Sequence, residues 1–187
     1  MHNKNFTKLL PSIAAIVIFA GAPAAQAEVL DADTNGFTIR INTKVDAERM
    51  AVYKAAVDNV GSWWHSDHTI SGFAQNLYID ARVPGCFCEK LGQGAGIVHM
   101  TVTYLSPGIV LRLTGGLGPL GLMGVDGNMT WEFDDTTDGT VVTLNYAVGG
   151  YYADGLDAIA PAVNNVLEEA MQRLRAFAET GDPEGPQ

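Results

Sequence analysis

The chain has 187 residues, 47% of them hydrophobic and 17% charged, which excludes a disordered or collagen-like polymer and predicts a folded globular protein. Lys and Arg number 11 against 21 Asp and Glu, a formal net charge of -10 that argues against broad binding to nucleic acid or anionic lipid. The expected partner is therefore a neutral, apolar or cationic molecule.

Residues 1–27 carry the marks of a secretory signal peptide. Lys4 and Lys8 precede an apolar run over residues 9–22, and Ala25-Gln26-Ala27 offers a cleavage site. Pro11 and Pro23 interrupt the run, which is short for a membrane span. The expectation is a periplasmic or secreted protein, released near Ala27 and without stable membrane insertion. Residues 28–35 then read as a linker, 36–179 as one domain and 180–187 as a flexible tail. The sequence holds neither a GxxxxGK[ST] loop nor a GxGxxG strand-to-helix turn, and no cofactor is expected.

Along the domain, residues 36–42 alternate, with Phe37, Ile39 and Ile41 on one face, as a strand does. Residues 46–57 read as a helix capped by Asp46, with Met50, Tyr53, Ala56 and Val57 at helical spacing. Residues 62–73 have no clean period. Five extended runs follow, over residues 76–83, 86–90, 97–105, 109–114 and 128–133, each bounded by turn residues. In the third, Val98, Met100, Val102 and Tyr104 share the apolar face and His99 lies opposite, as an exposed strand residue. The glycine-rich stretch 115–127 reads either as a lid over a pocket or as a hairpin connection. The last strand, residues 140–148, turns Val142, Leu144, Tyr146 and Val148 to one side. Residues 156–179 then carry a long helical apolar stripe, with Pro161 marking its true start or an early kink. The prediction is an α+β domain: seven antiparallel strands curved around a long C-terminal helix.

Three passages carry a resemblance: FTIRINTKVDAERMAVYKAAVDNVGSWW, VPGCFCEKLGQGAGIVHMTVTYLSPGIVLRLTGGLGPL, and GTVVTLNYAVGGY leading into AVNNVLEEAMQRL. Together they resemble the START-like (SRPBCC) superfamily over residues 36–179. That superfamily has the helix-grip fold and includes the birch-pollen allergen, lipid-transfer START domains, polyketide cyclase/dehydrase-like proteins and heat-shock-ATPase-activator homologues. The resemblance implies a cavity between sheet and helix for a small hydrophobic ligand such as a lipid, sterol or polyketide. Because the fold hosts carriers and enzymes alike, function has to be argued from the site.

Candidate ligand-binding residues are Trp64, Tyr78, Met100, Tyr104, Trp131 and Tyr146, which combine large apolar bodies with a few polar tips. His65, His68 and Asp67 form the most unusual polar cluster. They suit a general base in a cyclase, dehydratase or hydrolase, a metal site, or simply a solvated loop beside two buried tryptophans. Asp126, beside the glycine-rich stretch, is a base if desolvated and a turn residue otherwise. Cys86 and Cys88 point to one face of a strand, and three fates stay open: packed thiols, a disulfide, or a metal or thiol site shared with His65 and His68.

Overall fold

The computed structural model describes residues 26–185, so the expected signal segment up to residue 25 lies outside the described residues. In chain order the strands are β1 (Gln26–Asp33), β2 (Gly36–Val45), β3 (Leu77–Ile79), β4 (Gly85–Gly92), β5 (Ala95–Ser106), β6 (Val110–Thr114), β7 (Gly124–Thr136) and β8 (Gly139–Tyr151). The helices α1 (Arg49–Asp58) and α2 (Val60–Trp63) follow β2, and α3 (Ala160–Thr180) follows β8. The strands form one curved antiparallel sheet in the order β1-β2-β8-β7-β6-β5-β4-β3.

The sheet therefore has eight strands rather than seven. The additional one is β1, which occupies most of the segment read as a linker and includes Gln26 and Ala27 of the expected cleavage region. It is an edge strand with only Ala27 and Val29 partly buried, and a register irregularity between Val29 and Asp31 cuts its alternation short, so little of it reveals a strand in sequence. In β2 and β8 the alternation is clean, and Phe37, Ile39, Ile41, Val142, Leu144 and Tyr146 are buried on one face.

α3 lies across that face, against β2 and β1 and beside α1 and α2. Pro161 sits in its first turn, where a missing N–H costs nothing, and Gly181 in the left-handed conformation ends it by donating to the Phe177 carbonyl. Beyond the helix, Glu184 returns to pair with Arg173, so the start of the expected flexible tail is tied to α3. The N-cap of α1 is Glu48, whose carboxylate accepts the Ala51 N–H, and not Asp46, whose own N–H donates to Glu179. Met50 accordingly faces outward while Val52, Tyr53, Ala56 and Val57 are buried.

Two irregularities in β5 reset its faces. Phe87 pairs with Met100 but Cys88 with Val98, so His99 is an extra residue; Thr103 is another, between the pairs Val102–Leu113 and Tyr104–Arg112. Each β-bulge shifts the alternation by one. The inward set becomes Ile97, His99, Met100, Val102 and Leu105, while Val98 is 62% exposed and Tyr104 47% exposed. The reading of His99 as exposed and of Tyr104 as inward is thereby corrected. No helix among the described residues is long and apolar enough to cross a membrane.

Candidate ligand-binding site

The space between sheet and helix is filled at one end and hollow at the other. Under the C-terminal half of α3, Ala170, Met171 and Leu174 are buried, and the neighbouring core is aromatic. Trp63 meets Trp131 at 6.1 Å between ring centroids, and Tyr53 meets Phe133 edge-on at 5.3 Å. Under the N-terminal half lies a cavity of about 330 Å3. Val163, Val166 and Leu167 of α3 form one wall, and Trp64, Leu77 and Phe87 form another. Leu117, Pro119, Leu120 and Met123 of the glycine-rich stretch close it, with Asp67, His68 and His99 as its titratable groups. A smaller cavity of about 230 Å3 lies next to it and shares Ile70, His99 and Gly118.

The glycine-rich stretch is thus a roof, built on a 3-10 turn at Gly118–Leu122. Gly115 has φ +141, and a side chain there would run into the His99 carbonyl at 2.9 Å, so only glycine lets the roof lie this close to β5. Tyr146 holds the roof from below, accepting the Leu117 N–H and donating to the Gly115 carbonyl, both at 3.1 Å. Burial pushes the Tyr146 hydroxyl up to about 12, so it remains a neutral donor. Asp126 is an exposed residue of β7, paired with Gly149, and its carboxylate accepts the Gly127 N–H, so it is neither a turn residue nor a desolvated base.

Among the six expected ligand-binding residues, Trp64 lines the cavity. Met100, Trp131 and Tyr146 are buried in the core around it, and Tyr78 and Tyr104 stand on the outer face beside Lys90 and Arg112. Cys86 and Cys88 are joined in a disulfide, so neither thiol is available to a metal. They stand on the opposite face of β4 from the inward Phe87 and Glu89.

His65 and His68 converge instead on Glu169 of α3, with ligand atoms of all three within 4.8 Å. His68 Nε2 lies 2.9 Å from one Glu169 oxygen and His65 Nε2 3.9 Å from the other. Two histidines and a carboxylate are a metal-ligand composition. Here, however, His65 Nδ1 accepts the Asp67 N–H at 3.2 Å, which puts its proton on Nε2, facing Glu169. Metal coordination through that Nε2 would require His65 to give up its bond to Asp67. As it stands, the cluster is a hydrogen-bonded clasp between the loop after α2 and α3, at the edge of the cavity.

A second polar group escaped the sequence reading. Glu89 and His99 are buried together, with 0% and 5% of their side chains exposed, and His99 Nε2 lies 3.0 Å from Glu89 Oε2. Glu89 also accepts the N–H groups of Ile70 and Ser71. Burial opposes its ionisation, but the donors from Ser71, Ile70 and His99 outweigh that and hold its carboxyl below the usual range. Phe87 stacks edge-on against His99 at 5.8 Å, and Trp64 against Phe87 at 5.5 Å, so the pair is walled by aromatics. The signal in the sequence was an acidic residue two positions after Phe87, at an inward position of β4.

No protein-family model matches this chain, and no curated protein matches it significantly. Solved structures do. A protein from Chromobacterium violaceum superposes with a TM-score of 0.56 at 21% identity, covering 76% of this chain and 96% of its own. CalU16 from Micromonospora echinospora gives 0.53 at 18% identity, covering 86% and 87%. The Aha1 dimer from Colwellia psychrerythraea gives 0.51 at 15%, covering 77% and 97%. At such identities the likeness speaks for the fold alone, which is the helix-grip fold.

Proposed function

We propose that this protein is a START-like protein that binds a compact hydrophobic molecule in the cavity between sheet and α3. The observation that carries this reading is the cavity itself: about 330 Å3, walled by aliphatic and aromatic side chains, with a few polar groups at one side. Small-molecule sites have this composition and run from about 300 to 1,000 Å3. The volume is at the small end of that range, which favours a fused-ring aromatic or a short polyketide over a diacyl lipid. The same core closes tightly around Trp63 and Trp131, so the hollow is local and not a general looseness of packing.

The test uses the fluorescent probe N-phenyl-1-naphthylamine. Saturable binding at one probe per chain is expected, and Val163→Trp, which fills the cavity from α3, weakens it at least tenfold without loss of fold. Absence of saturable binding, or a Val163→Trp protein that binds equally well, overturns the proposal.

Export belongs to the same proposal. The leader-like composition of residues 1–27 supports it, as does the Cys86–Cys88 disulfide, which persists in an oxidising compartment. Protein recovered from outside the cytosol should begin at Glu28.

A further inference from the structure

We infer that His99 and Glu89 form a proton-transfer dyad, with His99 as the base acting on a carbonyl-bearing apolar substrate in the cavity. The inference rests on the cavity reading above and adds chemistry to it.

The geometry assigns the roles. Glu89 is anionic and holds His99 Nε2 at 3.0 Å, so Nε2 carries the proton and Nδ1 keeps its lone pair. Nδ1 has no hydrogen-bond partner among the described residues, and the ring forms part of the cavity wall. In its neutral tautomer this imidazole has one nitrogen on a buried carboxylate and the other unpartnered, in the wall of an apolar pocket, which is the arrangement of a general base and its orienting acid. Glu89 is itself oriented by the Ile70 and Ser71 amides, so the pair is held from three segments of chain. The bulge at His99 is what turns this imidazole inward, and bulges that re-aim one side chain occur next to active sites.

The step is a proton abstraction next to a carbonyl. The C–H bond breaks, its electron pair moves into the enolate, and the proton passes to His99 Nδ1. The resulting imidazolium faces Glu89, which stabilises it. Return of the proton to carbon restores the base, so the cycle needs no oxidant, reductant or co-reactant. The other titratable groups facing the cavity are Asp67 and His68 from the loop after α2, with Glu169 of α3 behind His68.

The test is hydrogen–deuterium exchange of 2-tetralone in deuterated buffer, followed by NMR, with displacement of N-phenyl-1-naphthylamine reporting whether tetralone occupies the cavity. The wild-type protein should accelerate exchange at least about 100-fold over buffer and over His99→Gln, as general bases do. Gln can still donate to Glu89, so this variant should fold and bind tetralone; His99→Phe, judged by circular dichroism, is the second variant. Glu89 is a positioning residue, and Glu89→Gln should move the midpoint of the pH–rate profile to lower pH as well as slow the exchange. If tetralone displaces the probe but exchange is not accelerated, or is equally fast in His99→Gln, the dyad is overturned and the binding reading stands. If neither molecule binds, both fall.

Discussion

Tyr146 and Leu117, 29 residues apart in the chain, are joined by a 3.1 Å hydrogen bond from the Leu117 N–H to the phenol oxygen. The same hydroxyl donates to the Gly115 carbonyl, so one side chain in the core of β8 secures the start of the turn that roofs the cavity. Tyr146→Phe leaves both backbone groups without this partner and should cost about 1–3 kcal/mol. Amide exchange over residues 115–123 should rise more than elsewhere, and the fluorescent probe should leave faster. Unchanged exchange in that stretch would contradict the role given to Tyr146.

The same hydroxyl makes stability sensitive to alkali. Burial raises Tyr146 to about 12, with Asp126 adding to the rise and the Leu117 amide reducing it, against 10.0 for an ordinary tyrosine. The folded value lies above the unfolded one, so this contribution is complete below pH 10 and is lost as pH climbs from 10 toward 12. About 3 kcal/mol is at stake. Urea denaturation between pH 9 and 12 should show this decline in the wild type and lack it in Tyr146→Phe.

Glu89 acts in the opposite direction. Its carboxyl is held below the ordinary glutamate value of 4.5 because the donors from Ser71, Ile70 and His99 outweigh the burial that opposes its ionisation. Its contribution is therefore present above about pH 4.5 and lost as the pH falls through the lower folded value. Glu89→Gln, which weakens the bonds from Ile70, Ser71 and His99, should destabilise the protein at pH 7 by about 1–3 kcal/mol. Its acid unfolding, followed by circular dichroism, should lack that part of the wild-type pH dependence.

Thr43 on β2 is buried, and its hydroxyl has no hydrogen-bond partner. Val has the same shape without the polar atom, so Thr43→Val should be neutral or stabilising by about 1 kcal/mol. A melting temperature lowered by several degrees would show that the hydroxyl finds a partner after all.

The Cys86–Cys88 bridge closes a loop of only three residues, so its entropic effect on the unfolded chain is small, about 1–2 kcal/mol. The double variant Cys86→Ser, Cys88→Ser should fold and bind the probe as the wild type does. The unreduced wild-type protein should weigh two hydrogens less than its reduced form.

How much of this was legible depends on where alternation is regular. β2, β8 and the stripe of α3 could be read from spacing because each buries one face against a single partner layer. The edge strand β1 could not, because it buries too little to impose a pattern. Tyr104 and His99 were misplaced for a different reason. A bulge is a mismatch between two strands, and the sequence of one strand does not contain its partner's register.

By itself, the sequence determined the fold class, the antiparallel order of hairpins and the inward faces of the regular strands, since local spacing and turn residues act between neighbours in the chain. Only the tertiary structure decided where the inside is hollow, because the alternation of apolar residues is the same for a packed core and for a lined cavity. It also decided which polar groups meet. Glu169 reaches His68 across 101 residues, and Glu89 meets His99 only because a bulge turns the imidazole inward.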